Sequence, residues 1–354
     1  MKAIAARARS LFLSSALLGL CSMAQSAGST LPQPLVLRDE GSFFVGGQIV
    51  HTEHPSSPAT ALLSPGHIRI NQMYVQYKIP VDAGQHLPVV MVHGANHTGV
   101  TYETTPDGRE GWATYFARQG HPVYVVDHAG RGRSGFDPTV VNQARTQNNA
   151  SLLPAMSLYP REGAWVNFRF GAAYPTPFPG LRFPIEAMDQ YQSQLVPNTE
   201  TTLAGSGTNT VNGLVALLDR IGPAILMVHS QSGSYGLNVI RQRPSLVKAF
   251  INVEGNCGPL SDAEVPAFAR VPTLSVWGDN SPGAVGANGD TRRNGCISAI
   301  GQARTAGGDA TFLLLPDLGI SGNSHMMMMD RNNLHIADLL LEWIGPRERE
   351  GRGR

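Results

Sequence analysis

The chain has 354 residues, of which 42% are hydrophobic and 15% charged, with 39 Gly, 25 Pro and 3 Cys. That much apolar material can bury a large core and excludes an intrinsically disordered chain. With 27 basic against 26 acidic residues, a formal charge of +1, it lacks the basic excess of a nucleic-acid binder.

The first 27 residues read as a signal peptide rather than as fold. Lys2, Arg7 and Arg9 precede an apolar run from Leu11 to Leu20, which is too short to span a bilayer. Ser22-Met23-Ala24 fits a cleavage site, so cleavage is expected after about residues 24–27. Bulky Leu20 argues against lipid attachment at Cys21. Cleavage leaves 24 basic and 26 acidic residues, a formal charge of −2. It also leaves two cysteines, Cys257 and Cys296, which in an oxidising compartment read as one disulfide. A secreted or periplasmic protein follows. No later hydrophobic run is long enough for a membrane helix.

In the remaining 28–354, residues 28–42 read as an extended lead-in. Phe43–Val50 and Ile68–Ile79 alternate as antiparallel strands. Pro88–Val92 is a short buried strand, 109–119 a helix stopped by Gly120, and Pro122–Val126 another buried strand. Residues 135–205 hold no clear strand. They are rich in Pro and aromatics, including Tyr159, Trp165, Phe168, Phe170 and Phe183, and read as an ordered cap insertion rather than a plain loop. A helix over 206–220, a strand over Ala224–Val228 and a helix over 231–241 follow. Strands over Ala249–Val253, Thr273–Trp277 and Phe312–Leu315 come next. Asn333–Trp343 closes as a helix with Leu334, Ala337, Leu340 and Leu341 on one side. Short apolar strands alternating with helices predict an α/β fold, a mostly parallel sheet with helices on both faces.

The chemistry gathers at strand ends. Ser230 stands between the strand AILMVH and a helix, the context of a nucleophile elbow. The turn wants small residues around it; Ser232-Gly233 suits, whereas Val228 departs from the usual Gly. Ser232 is the alternative nucleophile. A serine needs a base, and the fitting one is His325, in a loop before the closing helix; His335 lies inside that helix. The acid is Glu254, after one strand, or Asp279, after the next. His93-Gly94-Ala95-Asn96 follows a strand, placing the backbone N–H of Ala95, with that of Gln231, to form an oxyanion hole. The run Asp127–Ser134 lacks the Lys-Ser/Thr of a phosphate loop; its Arg131 and Arg133 read as structural turn residues. Met326–Met329 read as core packing, with an acyl-pocket role as the alternative. His51 and His54 read as a solvated loop, and no metal site is expected. No dinucleotide fingerprint appears, so no cofactor is expected.

Together the HG turn, DHAGRGRSG, VHSQSG and the late loop histidine resemble the α/β-hydrolase-fold serine hydrolases over roughly 85–345. More narrowly, TPDGREGW, SQSG, VEGNC and GNSHMMMMDRNNL are similar to a group of secreted bacterial esterases typified by the Alcaligenes esterase. That resemblance implies a Ser230–His325–Glu254 triad, because in that group the acid is a Glu ending the preceding strand. A 257–296 disulfide would pin the acid's loop. The turn Gly-Ala-Asn departs from that group, which carries cysteines there. The implied reaction is hydrolysis of a small-molecule carboxylic ester through an acyl-enzyme. An amidase or peptidase using the same residues is the alternative, and a catalytically silent binding protein a rival of another class. The sequence leaves oligomeric state open, a homodimer included.

Overall fold

Strand residues alternate between two faces, and the parallel strands are apolar on both, as a sheet covered by helices on each side requires. The structure, a computed structural model, describes residues 34–52, 65–198, 205–280 and 289–352. The expected signal peptide, Cys21 and His54 lie outside these. Eight strands form one sheet: β1 (Leu37–Thr52), β2 (Gly66–Pro80), β3 (Val89–Val92), β4 (Val123–Val126), β5 (Ala224–His229), β6 (Val247–Val253), β7 (Thr273–Trp277) and β8 (Ala310–Leu314). Their order is β1-β2-β4-β3-β5-β6-β7-β8. The β1–β2 and β2–β4 pairs are antiparallel and all others parallel.

Among the described residues, ten α-helices accompany them: α1 (Val100–Glu103), α2 (Trp112–Arg118), α3 (Thr139–Thr146), α4 (Arg161–Asn167), α5 (Met188–Ser193), α6 (Ser206–Ile221), α7 (Ser232–Gln242), α8 (Val265–Ala269), α9 (Gly289–Thr305) and α10 (Asn333–Arg352). On one face Val89, Met91, Ile225 and Met227 pack with α2, α10 and the aromatics Trp165, Phe168, Phe170, Phe183 and Tyr191. On the other, Val90, Val92, Leu226 and Val228 pack with α6, α7 and α9. Met326–Met329 are buried in the first cluster.

The structure corrects four expectations. β1 begins at Leu37, inside the expected lead-in; its charged start pairs with β2 through Glu40–Lys78 and a Tyr77–Asp39 hydrogen bond of 3.2 Å. The helix expected over 109–119 starts at Trp112, because Arg109 instead binds the carbonyls of Met329 and Asp330 and the side chain of Asn333. The closing helix runs on through Pro346 to Arg352, and its buried face is Ile336, Ala337, Leu340 and Ile344, with Leu334 only half-buried. Helix α9 is absent from the sequence reading. It buries small residues, Gly295, Cys296, Ala299 and Ala303 beside Ile300, so no stripe of large apolar residues marks it.

The strand order reverses at β3, which lies between β4 and β5. In open α/β sheets a crevice forms at the carboxyl ends of the strands beside such a reversal. His93-Gly94 follows β3, Ser230 follows β5, Glu254 follows β6 and Gly278 follows β7, so all four turns open on one edge.

Candidate active site

Ser230 occupies the turn between β5 and α7 with φ +55°, a left-handed conformation that non-glycine residues rarely adopt. Close packing on every side holds it there. A Cβ on Gly94 would come within 2.9 Å of Ser230 Cβ, and one on Gly255 within 2.8 Å of the Ser230 carbonyl. Val228, where a small residue was expected, is accommodated because α7 presents Gly236; a Cβ there would lie 3.3 Å from Val228 Cγ1.

His325 Nε2 lies 2.8 Å from Ser230 Oγ, and His325 Nδ1 lies 2.7 Å from Glu254 Oε2. Glu254, also in the left-handed region at φ +50°, accepts the Gly278 N–H on its other oxygen at 2.8 Å. The His325 N–H donates to the Phe168 carbonyl at 3.0 Å, and His229 Nε2 donates to the His325 carbonyl at 2.9 Å. Burial first, then the neighbouring His229, Arg169 and Arg292, hold the His325 imidazole well below its ordinary pKa. It is therefore neutral at pH 7 and able to accept a proton.

The rival residues have other employment. Ser232 Oγ donates to the His93 carbonyl and lies 2.8 Å from His128 Nε2. Asp279 accepts the backbone N–H groups of Gly322 and Asn323 at 2.6 and 2.8 Å, shaping the loop that delivers His325. Asp330, raised by burial to about 6, accepts from Ser324 and Asn323 in the same loop. His335 is exposed.

Ala95 and Gln231 lie on facing turns. Arg131 joins them, donating to the Gly94 carbonyl at 2.8 Å and to Gln231 Oε1 at 2.7 Å. Arg131 thus ties two turns together, and Arg133 pairs with Asp127 and Glu103. His93 donates from Nδ1 to the Gly94 carbonyl and accepts the His128 N–H on Nε2, stacked 3.8 Å from the His128 ring. His97 donates to the Ala95 carbonyl and lies 3.1 Å from the Tyr191 hydroxyl; burial pushes it down to about 4. Asn96, at φ +59°, holds the Ser157 and Val196 carbonyls.

Two arginines at this site escaped sequence reasoning. Arg169, fully buried, pairs with Glu254 Oε2 and is pulled down by burial to about 9. Arg292, on α9, donates to Ser230 Oγ at 3.2 Å. The motif Phe-Arg-Phe gave the only available hint of the first. The second sits one turn before Cys296, which is disulfide-bonded to Cys257 as expected, with a Cα–Cα distance of 5.0 Å. Among the described residues one group of three could ligate a metal: His86, His121 and Glu348, with ligand atoms within 4.8 Å of one another. It lies before β3 and β4, at the opposite strand ends, and both Glu348 oxygens are already occupied by the Leu87 N–H and His86 Nδ1.

No family model matches the chain. It is 30% identical to a probable secreted lipase, phiG, of a fungal strain, over 77% of this chain and 85% of that protein. A bacterial esterase structure superposes with a TM-score of 0.84 at 38% identity, over 91% of this chain and 99% of that one. The chain belongs to the α/β-hydrolase serine esterases and lipases. This chain is thus a serine ester hydrolase, and among its described residues no helix is long and apolar enough to cross a membrane.

Proposed function

We propose that the protein is an exported carboxylic-ester hydrolase acting through Ser230, His325 and Glu254. The observation that carries this reading is the unbroken hydrogen-bond chain from Ser230 Oγ through His325 to Glu254, 2.8 and 2.7 Å. Ser230 attacks the ester carbonyl while His325 Nε2 takes its proton. The N–H groups of Ala95 and Gln231 receive the developing oxyanion, each worth roughly 3–4 kcal/mol. His325 then protonates the leaving alcohol, forming an acyl-enzyme, and water activated by the same nitrogen releases the acid. Glu254 fixes the tautomer in which Nδ1 carries hydrogen, and Arg169 holds Glu254 in place. On this reading the described part of the insertion, 135–198, caps the site and supplies Tyr159, Phe168 and Arg169 to it.

Export rests on the basic and apolar leader of residues 1–27, on the Cys257–Cys296 disulfide and on the secreted relative. Fluorophosphonate labelling of the mature protein tests the mechanism. Label on Ser230, lost together with p-nitrophenyl ester turnover in Ser230→Ala, is expected; a variant that still labels and turns over would sink it. Matched anilides in the same assay measure any amidase activity.

A further inference from the structure

A cation taken out of water is costly unless a counter-charge meets it. Arg292 is half-buried beside the nucleophile, yet among the described residues its one hydrogen bond runs to Ser230 Oγ, and no carboxylate pairs with it. Residues 281–288, SPGAVGAN, just before α9, bring no acidic side chain either. The cluster around the serine is unbalanced in the same sense. Arg169 pairs with Glu254 and also feels Asp279 and Asp330 of the neighbouring loop, whereas no carboxylate bears on Arg292. Arg169 Nε and Nη1 are buried without a hydrogen-bond partner. The histidines nearby, His93, His97, His229 and His325, are all held neutral by burial. Arg292 is thus left without a carboxylate of its own in a partly desolvated pocket, where electrostatic attraction is strengthened.

From this we infer that Arg292 is an anion subsite, and that the preferred substrates are esters carrying a carboxylate near the scissile carbonyl, that is, half-esters of short dicarboxylic acids. The inference rests on the Ser230 mechanism above. In the attack geometry the carbonyl carbon lies about 3 Å from Oγ. The guanidinium, bonded to that same Oγ, stands beside it. A second carboxylate roughly two to four carbons along the acyl chain reaches its remaining nitrogens, and a planar fork suits a carboxylate. Carboxylate binding lets Arg292 leave Oγ to His325 alone. The neighbouring wall is Tyr159, near enough to influence the Arg292 charge, packed edge-to-face on Phe168 at 5.5 Å. Those rings seat the apolar part of the chain.

The test compares monomethyl glutarate with methyl 5-methylhexanoate, its uncharged isostere, by pH-stat at low salt. The wild type is expected to favour the half-ester in kcat/KM. Arg292→Gln should lower the charged-to-neutral ratio roughly 10- to 100-fold, with Arg292→Lys intermediate. Free glutarate should inhibit p-nitrophenyl butyrate turnover by the wild type competitively, and glutaramide should not; this arm needs no variant to fold. The inference is overturned if the wild type shows no charge preference, if Arg292→Gln lowers both esters equally, or if glutarate does not inhibit. Loss of Ser230 labelling would instead strike the mechanism, whichever ester is preferred.

Discussion

Two histidine–carboxylate pairs stand at opposite ends of the parallel strands. His325–Glu254 lies at the carboxyl ends, fully buried, with a buried arginine and a hydroxyl in reach. His86–Glu348 lies at the amino ends, with His86 partly exposed at 36% and the carboxylate spent on the Leu87 N–H, fastening α10 to the start of β3. The bond lengths are alike, 2.7 and 3.0 Å. What separates them is the third partner. At one end the far nitrogen of the imidazole meets a serine on a strained turn; at the other the carboxylate closes on backbone. The pairing of residue types therefore does not make a catalytic site. In the proposed mechanism, the strand reversal and the left-handed turns that gather a serine around it do.

The largest test of that contrast is removal of the hydroxyl. Ser230→Ala should lower kcat by about 10⁴-fold or more, measured with p-nitrophenyl butyrate, while circular dichroism stays native. Next come the two carboxylates in parallel. Glu254→Gln should cost roughly 10²–10⁴ in kcat. Glu348→Gln should leave kcat within about twofold and lower Tm by a few degrees, since it weakens one or two charge-assisted hydrogen bonds. Equal losses of activity from the two would erase the distinction. Removing the disulfide with paired Cys→Ser changes at 257 and 296 should destabilise by about 4 kcal/mol for a separation of 39 residues, read by urea unfolding.

Acid sharpens the contrast further. His93, His97, His229 and His325 at the catalytic end are held below 6.5, His97 to about 4 and His229 to about 3. Unfolded, each binds a proton as pH falls through about 6.5; folded, each refuses it until much lower. Stability is therefore present above pH 6.5 and lost steadily toward pH 4, with Asp330, raised to about 6, opposing as one group against four. Tm measured from pH 7 to 4 should fall by several degrees per unit; a flat profile would contradict the buried neutral histidines. Smallest is the kinetic effect. The acid limb of kcat/KM should lie below pH 6.5, and Arg292→Gln should move it upward, because one cation near His325 is removed.

Much of this was legible in the sequence because strand-end turns are short and their chemistry local. Ser230 directly ends an apolar run, and Glu254 does the same one strand later, so each strand and its functional residue announce one another. His325 followed from chain order. What was hidden depends on contacts made across the fold. Arg169 sits amid aromatics in an insertion with no periodicity, and nothing local says that it reaches Glu254. Arg292 rides on a helix whose buried face is built of small residues, packed against Gly258 and held by Cys257, a pattern that apolar periodicity does not detect. Glu254 and Asp279 both follow strands, so the residues alone left the acid open and the resemblance to the secreted esterases implied Glu254; in the fold the imidazole lies 2.7 Å from Glu254.

The segment 135–198, proposed above as a cap, bears on how this scaffold can be re-engineered. Its Phe168 carbonyl receives the His325 amide, its Arg169 pairs with Glu254, its Tyr191 touches His97, and its Ser157 and Val196 carbonyls hang on Asn96. A segment joined this way is not an exchangeable module. Grafting a segment from another hydrolase to alter acyl preference would strip His325 of its backbone anchor and Glu254 of its counter-charge. Diversification of this enzyme is better confined to the cap's outward surface and to the rim around Tyr159, leaving the Phe168-Arg169 dipeptide in place.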